Sequence, residues 1–111
     1  MSKPAVSDLF ADVPPHLKEE LFSTLTESAA VRIERIVSPP GHQTEPGAWY
    51  DQERDEWVLV LRGRAALELD GEPQLVELGP GDHLVLPAHL RHRVAWTTAD
   101  EPTVWLAVHY Q

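Results

Sequence analysis

Cysteine is absent from the 111 residues, so this chain has no disulfide framework, no thiolate chemistry and no thiolate-held metal. Positive charge is scarce. Nine Lys and Arg against eighteen Asp and Glu leave a formal net charge of −9, a balance that repels phosphate backbones and anionic lipid. Neither nucleic acid nor a membrane surface is expected as a partner. No apolar run approaches the roughly 20 residues that span a bilayer, and the opening MSKPAVSDLF lacks the hydrophobic stretch of a secretory signal. A soluble, cytoplasmic protein is the expectation. Internal repeats, low-complexity tracts, glycine-rich phosphate loops and Ser-His-Asp constellations are also missing, which removes the reaction classes that depend on them.

What remains is a chain long enough for one core, burying about two thirds of the surface that it exposes when unfolded. Residues 1–29 read as a loosely held arm followed by a short helix, with Pro14 and Pro15 at its start, Glu19 and Glu20 in its first turn, and Leu17, Leu21 and Leu25 four apart. From residue 30 to 111 the period changes to two in VRIERIV, AWYDQ, EWVLVLRG, RAALELD, QLVELG, HLVLP, HRVAWT and TVWLAVHY. Turn compositions such as Asp70-Gly71-Glu72-Pro73 and Gly79-Pro80-Gly81-Asp82 separate them. About eight short strands at close spacing predict an all-β sandwich or barrel in a single domain. Strands such as WVLVL are apolar on both faces, so a cover is needed outside as well as inside. A second sheet, the helix or a partner subunit would supply it.

Two spaced motifs stand out. Glu56 precedes Gly63 by seven positions, and Gly81-Asp82 is followed by Pro87 and His92. A closed antiparallel barrel would set the Glu56 and His92 strands together across 36 positions of sequence. Alternation puts Glu56, Val58 and Val60 on one face, His92, Val94 and Trp96 on another, and Tyr50 with Gln52 on a third. A carboxylate and an imidazole would share one interior.

The motifs resemble those of the cupin superfamily over roughly residues 45–108. Glu56 with Gly63 is similar to the end of the first cupin motif, and Gly81, Asp82, Pro87 and His92 are similar to the second. The resemblance implies an antiparallel cupin-type β-barrel, a double-stranded β-helix or jelly roll, with the short helix before it. In metal-binding cupins two His, a Glu and the His of the second motif hold the ion. Here the two His positions fall on Tyr50 and Gln52, the second-motif glycine on His89 and its last Asn on Trp96.

The resemblance and the residue chemistry together imply a small molecule bound in the barrel pocket, with a divalent transition metal (Zn, Fe, Ni or Mn) held by Glu56 and His92 and completed by Gln52 or Tyr50. Tyr50 or Glu56 would then move a proton in isomerase- or oxygenase-like catalysis. The alternative is a metal-free, non-catalytic module in which Tyr50, Gln52, Trp96 and His89 bind the ligand. His83 and His109 are expected at the surface or in an interface, and Arg91 and Arg93, opposite in parity to His92, in ion pairs with acidic residues. A homodimer is expected from the doubly apolar strands and from the habit of cupins.

Overall fold

The computed structural model describes residues 3–111. Eight strands follow in order: β1 Leu21–Glu27, β2 Val31–Ser38, β3 Asp55–Arg62, β4 Ala65–Leu69, β5 Val76–Leu78, β6 His83–Leu86, β7 His92–Thr97 and β8 Thr103–Tyr110. They form two antiparallel sheets, one of five strands in the order β1-β2-β8-β3-β6 and one of three in the order β5-β4-β7. Among the described residues no continuous ladder joins the sheets into a closed cylinder; the expected barrel is realised as two layers facing each other. Their inner faces meet in one apolar cluster, with Ile36, Val58, Val60 and Trp105 from the larger sheet and Leu67 and Val94 from the smaller.

The helix expected between Asp12 and Leu25 does not form, and its second half is β1. Asp12 has a positive φ of 56°. The residues before Pro14 and Pro15 are steered away from helical backbone, and neither proline can donate a hydrogen bond. A lone helix this short is marginal. As a strand, by contrast, the segment gains a ladder with β2, from Leu21 opposite Val37 to Glu27 opposite Arg32. Tertiary pairing outweighs the four-residue leucine spacing. The arm is tied to its own chain, because Arg35 Nη1 donates to the carbonyls of Leu9 at 3.1 Å and Ala11 at 2.9 Å. The Arg62 guanidinium also lies 4.6 Å from the centre of the Phe10 ring.

Expected strand AWYDQ is reduced to a single bridge between Tyr50 and His92. The count of eight is therefore reached with one strand gained and one lost. Elsewhere alternation is obeyed: in β3 the side chains of Glu56, Val58 and Val60 are buried while their neighbours are partly exposed.

Candidate functional site

Register in the larger sheet sets the site. Glu56 on β3 lies opposite His109 on β8, and His109 lies opposite Arg32 on β2, so one cross-strand row carries an acid, an imidazole and a guanidinium on the inner face. His92 enters from the smaller sheet. Its backbone is fixed by a reciprocal pair with Tyr50, Tyr50 N–H to His92 C=O at 2.8 Å and His92 N–H to Tyr50 C=O at 3.1 Å. The Tyr50 and His92 rings stand 5.6 Å apart.

Glu56 and His92 do meet inside, with Glu56 Oε1 3.7 Å from His92 Nε2 and side-chain exposures of only 6% and 8%. His92 Nδ1 sits 2.9 Å from the Leu90 carbonyl oxygen. A carbonyl only accepts, so Nδ1 carries the hydrogen and the neutral ring turns its Nε2 lone pair toward Glu56. Burial pushes the Glu56 carboxyl up to about 7 against the pull of His109, with Glu34 adding to the rise. Burial, with the nearby His109, holds His92 below the usual imidazole range, although the Leu90 carbonyl works against it. Both groups therefore favour their uncharged forms.

Three neighbours were not among the expected site residues. His109 is buried rather than at the surface. Its Nε2 lies 2.8 Å from Glu34 Oε1 and 3.9 Å from Glu56 Oε2. Alternation in TVWLAVHY puts His109 in phase with Trp105 and Ala107, which was the available signal, but a strand apolar on both faces hides which phase is inward. Glu34 shares its phase with Ile36 in the same way. Glu20, assigned by pattern to a helix, lines the cavity, where it accepts from Ser38 Oγ at 2.6 Å and from Tyr50 Oη at 3.2 Å, with His42 Nε2 3.4 Å away. Burial alone would raise its pKa, but the hydrogen bonds of His42, Ser38 and Tyr50 and the nearby His42 charge bring it below the usual value. The Tyr50 hydroxyl is pushed up to about 12 by burial and by the adjacent Glu20, so it stays a protonated donor.

Ser38 is the hinge of this arrangement: fully buried, it also accepts from Trp105 Nε1 at 3.0 Å. Ser38→Ala would leave a carboxylate and an indole N–H short of a partner, and is expected to cost roughly 1–3 kcal/mol in urea unfolding.

Two expected ligand residues lie elsewhere. Trp96 does not line the cavity. Between β4 and β7, Leu67 pairs with Val94 but Ala66 pairs with Trp96, so a bulge inserts one residue and turns Trp96 to the face opposite Val94. Trp105 takes the wall position instead. His89 has a positive φ of 66°. Its side chain is 68% exposed, with Nδ1 3.0 Å from Asp51 Oδ1, while its N–H bonds the Gln52 carbonyl. The left-handed backbone explains why a glycine suits that motif position. Arg91 and Arg93 pair with Asp70 and Glu68 as expected. His83, exposed, faces Trp57 Nε1 at 3.2 Å.

The cavity, open to one side, is about 60 Å³, room for about four waters. Its polar wall is Glu20, Glu34, Glu56, Tyr50, Gln52 and His92; the rest is apolar, and no Lys or Arg faces it among the described residues. These donors do not fit a resident transition metal. A catalytic ion wants three or more strong protein ligands. Glu34, His109, Glu56 and His92 form a linked row at 2.8, 3.9 and 3.7 Å, but among the described residues no three of them are arranged so as to hold a metal ion. His109 is turned to Glu34, and Tyr50 holds its proton. Glu56 and His92 stand alone as ligands.

The family profile described as the cupin domain matches residues 35–109. A crystal structure from Ralstonia eutropha, provisionally named a mannose-6-phosphate isomerase, is 50% identical over 97% of this chain and 99% of that one, with a TM-score of 0.92. A cupin superfamily protein from Desulfitobacterium hafniense shares the fold at 22% identity and a TM-score of 0.71, over 88% of this chain and 83% of that one. The 3-hydroxyanthranilate 3,4-dioxygenase of Paraburkholderia phytofirmans is 39% identical over 62 residues, 54% of this chain. That match spans about a third (34%) of the dioxygenase's length. The paired motifs, the facing sheets and the matched profile agree: this chain belongs to the cupin family.

Proposed function

We propose that the cavity binds the reacting end of a small hydroxycarbonyl compound and moves a proton on it without a resident metal, in the manner of an isomerase. The observation that carries this reading is the buried Glu56–His92 pair, 3.7 Å apart in the wall of the cavity. A carboxyl raised to about 7 titrates where a general base is most effective. Ionised Glu56 takes the proton from the carbon that bears the hydroxyl and returns it to the neighbouring carbonyl carbon. Neutral His92 accepts the hydroxyl proton at Nε2 and passes it to the carbonyl oxygen, so the product is an isomer and no charge is left behind. Tyr50, protonated at any ordinary pH, turns its single O–H from Glu20 to the substrate oxygens as they gain charge.

Two comparisons bear on the choice of chemistry. The 50% identical relative carries an isomerase name, while the dioxygenase match covers a minor part of that enzyme. Oxygen activation also needs a metal with open positions, for which the donor set here is too small.

The test uses dihydroxyacetone, short and uncharged, in deuterium oxide. Proton NMR should show deuterium entering the carbon-bound positions, with the rate unchanged by a chelator and lowered at least about 100-fold in Glu56→Gln. Elemental analysis of untagged protein should find transition metal far below one equivalent. A stoichiometric metal lost in His92→Ala would overturn the reading. Ligand binding without exchange would leave a metal-free binding module.

A further inference from the structure

Beyond the cavity, a second hollow of about 310 Å³ is lined by Arg32, Gln52, Glu53, Arg54 and His109. Gln52 belongs to both walls, so the two spaces adjoin. Their charges are opposite in kind. Three carboxylates, Glu20, Glu34 and Glu56, face the inner space. Two guanidiniums against the single acid Glu53 face the outer one, on a chain whose formal net charge is −9.

The arginines are only partly engaged. Arg32 Nε is buried without a hydrogen bond and is ion-paired with Glu34 Oε2 at 3.7 Å, while Glu34 Oε1 holds His109 at 2.8 Å. Arg54 spends one N–H of Nη2 on the Ala29 carbonyl at 2.9 Å, which fixes the side chain and leaves the rest of its fork free. Gln52 Oε1 is also buried and without a partner. Arg32, whose side chain is 41% exposed although its Nε is covered, and Arg54 both line the hollow, and guanidiniums so placed suit a ligand that brings an anionic oxygen.

We propose that this hollow is an anion subsite, in which Arg32 and Arg54 hold the carboxylate or phosphate of a hydroxylated ligand whose uncharged end enters the Glu56 cavity. The orientation follows from charge: an anionic group is repelled by the inner acids and attracted by the outer guanidiniums, which bind planar or tetrahedral oxyanions through paired N–H donors. The statement about the uncharged end rests on the function proposed above; the anion subsite itself does not.

The full chain should bind inorganic phosphate or acetate saturably in calorimetric titration, the stronger of the two telling which headgroup the site prefers. Arg32→Gln and Arg54→Gln should each weaken that binding about tenfold or more. Arg54 lies outside the strands, so Arg54→Gln keeps the test valid if Arg32→Gln unfolds. No saturable binding of either anion, or affinity unchanged in Arg54→Gln and in any folded Arg32→Gln, would overturn the subsite. Anion binding that depends on arginine, in a protein that exchanges no deuterium into dihydroxyacetone, would keep the subsite and discard the proton-transfer reading. Exchange with no anion binding would do the reverse.

Discussion

Glu56→Gln is expected to reverse the pH dependence of stability between pH 5 and 7. The Glu56 carboxyl is raised to about 7 by burial, against a usual value of 4.5. Between those values the folded chain holds a proton that the unfolded chain has released, so the wild-type fold loses stability as pH rises through the window and levels off above it. The amide has no proton to lose. His92, held low by burial, has the opposite sign: below about 6.5 the unfolded chain binds the extra proton, so its contribution to stability rises with pH. With Glu56 replaced, that rising slope is what remains. Urea unfolding at pH 5 and pH 8 should therefore favour the variant over wild type by roughly 3 kcal/mol more at the higher pH. A falling slope that survives in Glu56→Gln would mean that another acid is the buried one.

An effect of comparable size, here a loss of stability, is expected from Gly63→Ala. Gly63 has φ of 84°, and a Cβ there would stand 2.6 Å from Thr103 Oγ1 and 3.0 Å from Thr103 Cα. Thr103 is fully buried and opens β8, with its hydroxyl directed to the Arg64 carbonyl at 3.3 Å, so it has nowhere to move. Left-handed strain of about 1–2 kcal/mol adds to overpacking of about 1–3 kcal/mol. Gly71 is the control. Its φ is 88° but nothing lies within 4 Å of its Cβ position, so Gly71→Ala should cost only the strain. Equal losses in thermal unfolding of the two variants would contradict the steric account.

Parity says which residues share a face, and the resemblance of the two motifs says which face is inside. Glu56 and His92 were read as sharing an interior on that resemblance, and they lie inside, 3.7 Å apart. The same counting failed for Trp96, because an inserted residue in β7 changes the phase and leaves no mark in HRVAWT. It was silent for Glu34 and His109, whose strands carry apolar residues in both phases. The leucines at positions 17, 21 and 25 imitate a helix, and only the ladder to β2 shows why a strand wins. Glu20 was invisible for a further reason: its partners Ser38 and Tyr50 are distant along the chain and meet it only once both sheets are assembled.

Glu20 lies before the segment that matches the family profile and before the first strand, yet it forms part of the cavity wall. That wall is thus finished by a leader that contributes nothing to the central apolar cluster. Such a leader is an exchangeable part. Grafting a different one onto the same double layer would alter the cavity wall while leaving the central apolar cluster intact, provided that the graft keeps an acceptor for the buried Ser38 hydroxyl, so new preferences could evolve there.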